Sequence, residues 1–411
     1  MSFPACRLCG APLRQTFADL GVSPLSNSFL LADQLNRMEP FYPLHARVCE
    51  VCFLVQLEEF EQPESIFSEY AYFSSYSESW LQHVRAYADR ISERFRLTER
   101  SLVVEVASND GYLLQYFVQK GIPVLGVEPA QNVAAVARKN GIQTVTRFFG
   151  EQTASDLSAE GHKASLIVAN NVLAHVPDVN GFVKGLKLLL KPAGIITVEF
   201  PHLLRLIEGG QFDTIYHEHF SYFSFCTAAT LFERHDLSIF DVEELPTHGG
   251  SLRLYISHAA HPEFQPSASV GELRQAEIVA GIQDLGKYAG FEKKVRKSKR
   301  NLLQFLLDAK NGGKTIVGYG APAKGNTLLN YCGVGVDFLD YTVDLNPHKQ
   351  NHFLPGTHIP IHAPEMIRKT RPDYVVILPW NLRDEIISQL SDIREWGGRL
   401  VVPIPTLEVI E

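Results

Sequence analysis

The ten residues IYHEHFSYFS, Ile215 to Ser224, gather two histidines, a glutamate and two tyrosines in a chain with 15 histidines among 411 residues. Three chemistries suit such a cluster. HEHFS is not HExxH, because the second ligand position of a zinc-hydrolase helix falls on Ser221, which cannot replace an imidazole. An HxH pair on a strand shares one face and could still hold a metal, but no third ligand stands out. Packing alone would leave two imidazoles and a carboxylate in need of buried partners. Proton transfer is the third reading, because a neutral imidazole near pH 7 is a competent base.

Four of the six cysteines lie near the N-terminus as CRLC (Cys6, Cys9) and CEVC (Cys49, Cys52). Two CxxC knuckles suit one tetrahedral zinc ion held by four thiolates. A closed four-thiolate shell leaves no position for substrate, so this zinc is expected to be structural.

A third set surrounds EVASNDGYLL, where an apolar strand over 102–106 meets a helix. Ser108, Asn109 and Gly111 are small or turn-forming and let the backbone pass close to a ligand. Glu128 ends the next strand about twenty residues on, where a carboxylate can accept both hydroxyls of a ribose. The glycines do not follow GxGxxG, so a pyrophosphate has no cradle, and an adenosyl group without phosphates fits better. This points to S-adenosylmethionine. Asn170, Asn171 and His175 follow another strand at its carboxyl end, where ligands of open α/β sheets bind. The expected cofactor contacts are Glu105, Ala107, Ser108, Asn109, Gly111, Glu128, Pro129, Asn170, Asn171 and His175.

A fourth set lies near the C-terminus. GYGAPAKG, with glycines at 318, 320 and 325 after the apolar TIV, could hold a phosphate through backbone amides, a helix N-terminus and Lys324. Alternatives are a second cofactor or a structural loop. The expected substrate contacts are Gly320, Ala321, Lys324, Asn326 and Lys349, with His248 of HGGSLR. A satisfied structural histidine remains the alternative for His248.

These residues need scaffolds. SESWLQHVRAYADRISERFRL reads as an amphipathic helix. Short apolar runs over 102–106, 125–127, 164–169 and 195–200, alternating with helical segments, make a doubly wound α/β unit. LRLYISHAA reads as a further strand, and residues 271–310 as helix with the basic run FEKKVRKSKRN on a solvated face. KTIVGYG, VDFLDYTVD, PDYVVILPW and GRLVVPIP begin a second α/β unit. The fold class is therefore α/β: a small N-terminal zinc-binding module (1–72), a central Rossmann-like domain binding S-adenosylmethionine (73–300) and a second Rossmann-like domain (301–411).

Lys+Arg 38 against Asp+Glu 46 leaves a net charge of −8, which argues against nucleic acid or an anionic membrane as partner. No signal peptide and no run of about 18 apolar residues is visible, so the cytoplasm is the expected location.

CRLCG…CEVC, EYAYFSSYSESW, VVEVASNDGYLL, GVEPA, VANNVLAHVPD, YHEHFSYFS, HGGSLR and GYGAPAKGNTLLNY occur in this order. In this set the chain resembles the sugar C-methyltransferases of deoxysugar biosynthesis, over nearly its whole length. The resemblance implies methylation of C-3, or in some relatives C-5, of a nucleotide-linked 4-keto-hexose, with dTDP as the nucleotide and an antibiotic or surface glycan as destination. It implies that His219 is the general base, that Glu218 and Tyr216 are active-site neighbours, and that Tyr72 or Tyr76 joins them. Two other classes remain as alternatives: an NAD-dependent sugar-nucleotide oxidoreductase using the second sheet, and a non-catalytic zinc-and-nucleotide-binding protein.

Overall fold

The computed structural model describes residues 3–63, 74–76 and 78–411. Tyr72 lies outside the described residues. Tyr76 closes a 3-10 turn, Ser74–Tyr76, but its side chain is likewise outside the description.

Three sheets carry the chain. The N-terminal sheet has strands Gln15–Ser23, Tyr42–Val48 and Val55–Gln56, all antiparallel. Its fourth strand comes from far along the chain: Ser221–Tyr222 pairs antiparallel with Val55–Gln56. The strand that directly follows Tyr216–Phe220 is thus hydrogen-bonded into the zinc-bearing module.

The central sheet has seven strands in the order Leu237–Leu245, Ser251–His258, Leu190–Pro201, Ala164–Asn170, Val103–Val106, Val124–Val127 and Thr144–Val145. The last five are parallel, and the first two form a hairpin that adds antiparallel to the edge. Val103–Val106 is buried at every position, as expected of an inner parallel strand covered on both faces. The chain runs outward from it through Val124–Val127 and then returns to Ala164–Asn170 on its other side. A crevice therefore opens at its carboxyl end, where EVASNDG begins.

The C-terminal sheet has six strands, with Ile316–Tyr319 between Thr342–Val343 and Tyr374–Ile377. Its switch point is the carboxyl end of Ile316–Tyr319, next to Gly320. Of the run VDFLDYTVD only Thr342–Val343 is strand. The break expected after residue 300 falls inside the helix Phe291–Asn311, which runs across it uninterrupted. Five buried apolar side chains of that helix hold it in one piece, and the basic residues lie outward, as its amphipathic pattern requires.

One apolar core passes from Phe17 and Val55 of the N-terminal sheet through Ile215 and Tyr222 into Ile316 and Val343 of the C-terminal sheet. Phe17 stacks on Phe291 with ring centroids 4.4 Å apart. The His219 segment is therefore enclosed by all three units.

Candidate active site

The two cysteine knuckles have matching backbones. The Gly10 amide donates to the Cys6 carbonyl and the Phe53 amide to the Cys49 carbonyl. Gly10 and Phe53, each just after the second cysteine, have φ of 78° and 58°. The four Sγ atoms lie within 4.8 Å of one another, with Cys6–Cys52 and Cys9–Cys49 both at 3.5 Å. A tetrahedron with Zn–S near 2.3 Å has edges of about 3.8 Å, so the donor set fits zinc. Gln56 Nε2 donates to Cys6 Sγ at 3.1 Å and the Val51 amide to Cys49 Sγ at 3.4 Å. Thiol hydrogen bonds from Cys49 and Cys52 hold Cys6 well below the ordinary thiol pKa, while Cys49 and Cys52 are themselves raised, so without metal the cluster shares its protons.

At the central crevice, Ala107, Asn109 and Gly111 all take positive φ, 58°, 50° and 81°. Glu128 accepts from the Asn109 and Ala130 amides, both at 2.9 Å. One carboxylate thus ties the loop after the first strand to the turn at Pro129. A Cβ on Gly126 would collide with Ser108 Oγ, which explains a glycine in the middle of that strand. Ser108 Oγ, both amide atoms of Asn170 and Asn171 Oδ1 are buried with no hydrogen-bond partner. Buried polar atoms are rarely left so, which makes this group a candidate for contact with a ligand. Glu105 lies beneath it, where burial pushes its carboxyl well above the usual range.

The YHEH segment divides its side chains. His217 turns away, its Nε2 on the Pro43 carbonyl at 3.1 Å and its ring edge-on to Tyr42, so HxH does not act as a unit. His219 contacts the Thr214 carbonyl through Nδ1 at 2.9 Å and the Tyr216 hydroxyl through Nε2 at 2.8 Å. A carbonyl only accepts, so Nδ1 carries the hydrogen and Nε2 the lone pair. His175 stands edge-on to His219 at 4.7 Å, and Tyr216 lies against it at 4.0 Å. Burial is the first cause that holds the His219 pKa well below its ordinary value, with His175 and Lys324 adding to it. The ring is nevertheless only half-buried, so it lies deep but open on one side. Glu218 accepts from Asn27 Nδ2 at 2.6 Å. His175, expected at the cofactor, faces the His219 ring and has its pKa pushed down to about 4 by burial.

The GYGAPAKG loop departs from the expected phosphate cradle. The Gly320 amide donates to the Val343 carbonyl at 2.6 Å and the Ala321 amide to Asp344 Oδ2 at 2.7 Å. Lys349 Nζ bonds the Ala321 carbonyl at 2.9 Å and lies 3.8 Å from the same carboxylate. The amides of Gly320 and Ala321 are therefore taken, and a carboxylate stands where an anion was expected. Lys349 closes the loop from behind. Lys324 instead enters the His219 region, its Nζ on Asn381 Oδ1 at 2.7 Å and 4.7 Å from the Trp380 ring centroid. Asn326 is 1% exposed and neither amide atom has a partner. Ser26 Oγ in the N-terminal module is equally buried and unpartnered. His248 has φ 55°, an unpartnered Nδ1 and its ring edge-on to Trp80. Burial pushes its pKa down to about 4.

Several residues of the site have no signature in the sequence. Asn27 reaches Glu218 across 191 positions. Trp380 Nε1 donates to Asp213 Oδ2 at 2.7 Å across 167 positions. Behind His248, Glu199 and Arg253 form a buried ion pair at 2.7 Å, with His83 beside both. Lone polar residues that meet only in the folded chain carry no spacing to read.

Residues 6–67 match the family described as a zinc binding domain, 78–242 a methyltransferase domain, and 246–405 a C-methyltransferase C-terminal domain. The chain is 36% identical over 405 residues to C-methyltransferase NovU of Streptomyces niveus, covering 98% of this chain and 96% of that one. A ubiquinone biosynthesis O-methyltransferase of Bartonella tribocorum is 31% identical over 97 residues, covering 23% of this chain and 39% of its own length. Among solved structures, PH0226 protein from Pyrococcus horikoshii covers 48% of this chain and 99% of its own, with a TM-score of 0.38 at 14% identity.

Proposed function

The chain belongs to the C-methyltransferase family, and from that premise we propose that it methylates C-3 of a dTDP-linked 4-keto-deoxyhexose. The methyl donor is S-adenosylmethionine and the four-cysteine site holds zinc. The nicotinamide-dependent oxidoreductase and the non-catalytic binding protein find no support beside this membership.

The observation that carries the reading is the fixed tautomer of His219. Its Nδ1–H is held by the Thr214 carbonyl, so the Nε2 lone pair faces the pocket under the Tyr216 hydroxyl. A neutral imidazole of fixed orientation is what removal of a C–H beside a ketone requires. His219 takes the proton, and the electron pair left behind spreads onto the ketone oxygen. When substrate displaces the Tyr216 hydroxyl from Nε2, that hydroxyl is released to donate to the oxygen. Glu218, held by Asn27, faces the sugar or orients the ring. Glu128, Ser108, Asn170 and Asn171 hold the donor, which supplies a methyl group already activated by a positive sulfur. The enclosure of the His219 segment by three units keeps water from the carbanion equivalent.

Asn326 and Ser26, buried and unpartnered, are the polar groups on the opposite side that fit the sugar nucleotide; His248 is a further contact. Tyr76 and Tyr72 belong to the same proposal. A cytoplasmic setting suits cysteines that form no disulfide; no helix among the described residues is long and apolar enough to cross a membrane.

The test is a mass-spectrometric assay with S-adenosylmethionine and dTDP-linked 4-keto-6-deoxy, 2,6-dideoxy and 3-amino sugars. One sugar gains the mass of a methylene unit. No product from any sugar, with the donor shown to bind, would count against a dTDP-linked substrate.

A further inference from the structure

Lys324 presents a half-buried cation that the reading above does not use. It sits in the first turn of the helix Ala323–Cys332. Thr327, three residues on and on the same face, donates its hydroxyl to the Ile215 carbonyl at 3.1 Å. That face therefore looks onto the backbone leading into His219. The ammonium is steered by Asn381 Oδ1 and the Trp380 ring. The same indole donates to Asp213, and a Cβ on Gly249 would come within 2.5 Å of it, so the His248 turn leans on it too. Among the described residues no carboxylate lies within ion-pair distance of Lys324, although 26 such pairs are formed elsewhere. Burial lowers the Lys324 pKa and the Asp213 carboxylate, beyond ion-pair distance, opposes that; an ammonium so weakly compensated favours an anion placed beside it.

We propose that Lys324 supplies the positive charge that meets the ketone oxygen as His219 removes the neighbouring proton. The inference rests on the function proposed above and replaces the phosphate contact first expected of this lysine. The C–H bond breaks and its proton goes to His219 Nε2. Its electron pair forms the C=C bond, and the former carbonyl pair comes to rest on oxygen as a negative charge beside the ammonium. Lys324 acts on the neutral imidazole and on the nascent oxyanion in the same sense, opposing protonation of the ring before substrate binds and favouring charge on oxygen afterwards. The effect of its field on His219 and His248 agrees with this position. Oriented charge at a developing oxyanion is commonly the largest single contribution to such a step.

The test separates enolisation from binding. Solvent deuterium uptake into a dTDP-linked 4-keto-2,6-dideoxy sugar, without methyl donor, is followed by NMR for the wild type, Lys324→Met and Lys324→Arg, alongside the sugar nucleotide's dissociation constant. Lys324→Met is expected to lower the exchange rate about 100-fold or more with the dissociation constant unchanged, and Lys324→Arg to restore part of it. Asn381→Ala leaves the charge but frees it to wander, and is expected to slow exchange about tenfold. This second variant serves if Lys324→Met does not fold. Wild-type exchange in Lys324→Met, or in Asn381→Ala where Lys324→Met does not fold, overturns the proposal. So does a loss confined to affinity, which would return Lys324 to the phosphates. A wild type that neither exchanges nor methylates the sugar removes the function on which the inference stands.

Discussion

Asn27 of the zinc-bearing module donates a 2.6 Å hydrogen bond to Glu218, the residue immediately before His219 in the same turn. The links joining that module to the candidate active-site segment include this bond, the His217–Pro43 contact, the Leu57 amide on the Phe220 carbonyl, and the pairing of Ser221–Tyr222 with Val55–Gln56. Zinc is far from the reacting atoms in role, but the strand pairing makes its module one wall of the site.

Zinc removal should therefore abolish turnover as it unfolds the first module. Chelation under denaturant-free conditions, followed by circular dichroism and methyl transfer together, should show both losses in parallel. Full activity in a verified zinc-free Cys49→Ser protein would contradict the coupling.

Asn27→Ala tests the same coupling without unfolding. A hydrogen bond to a charged group contributes about 1.5–3 kcal/mol to stability, so the melting temperature should drop accordingly, and kcat should fall while donor affinity stays near wild type. Steady-state kinetics with a melting curve reads all three.

Glu128→Ala removes the acceptor that ties the Asn109 and Ala130 amides together. The dissociation constant for S-adenosylmethionine should rise about tenfold to a hundredfold, measured by calorimetry. An unchanged constant would mean that the ribose is bound elsewhere.

Three histidines set the acid limit of stability. His175 and His248 have pKa values near 4, and His219 lies well below its ordinary value, all through burial. In the unfolded chain each returns to about 6.5. Between those values the unfolded chain binds more protons, so stability rises with pH and is lost as pH falls from about 6.5 toward 4. Asp213, pushed up to about 6 by burial, works in the opposite sense over part of that range, as do Glu105 and Glu128, also raised by burial; His45, His217, His235 and His258, lowered by burial, add to the three histidines. Urea midpoints should drop between pH 7 and pH 5. The acid limb of kcat/KM should also lie below the ordinary histidine value, because His219 stays neutral there.

Glu199 and Arg253, 0% and 1% exposed, are a pair that cannot lose one member cheaply. Glu199→Gln should lower stability by about 3 kcal/mol, because the buried guanidinium then keeps only Glu243, at 3.1 Å, as counter-charge. Chemical denaturation measures it, and a change under 1 kcal/mol would argue that water reaches the pair.

What the sequence made legible follows from locality. The cysteine knuckles, the Glu128 strand end and the His219 cluster each lie within a few residues of a turn or strand end, so type and spacing carry them. The strands over 102–106 and 164–169 appear within a residue or two of their expected ends because continuous apolar runs mark inner parallel strands. The donation of Ser221–Tyr222 to the N-terminal sheet was not legible, since a two-residue strand has no period. GYGAPAKG misled because its glycines satisfy tight packing: a Cβ at Gly320 would strike Pro379 and one at Gly325 would strike Leu378. Asp344 then takes the Ala321 amide a phosphate would need. The partners of Asp213 and Glu218 come from other units, and that of Lys324 lies 57 positions on in its own unit, so they became visible only in the folded chain.

The most direct measurement is the NMR spectrum of product made with S-adenosylmethionine carrying a carbon-13 methyl group and a dTDP-linked 4-keto-2,6-dideoxy sugar. The account predicts a labelled methyl bonded to C-3, next to the ketone, and its absence with His219→Asn. Label on oxygen or on C-5, or undiminished product from His219→Asn, would contradict it.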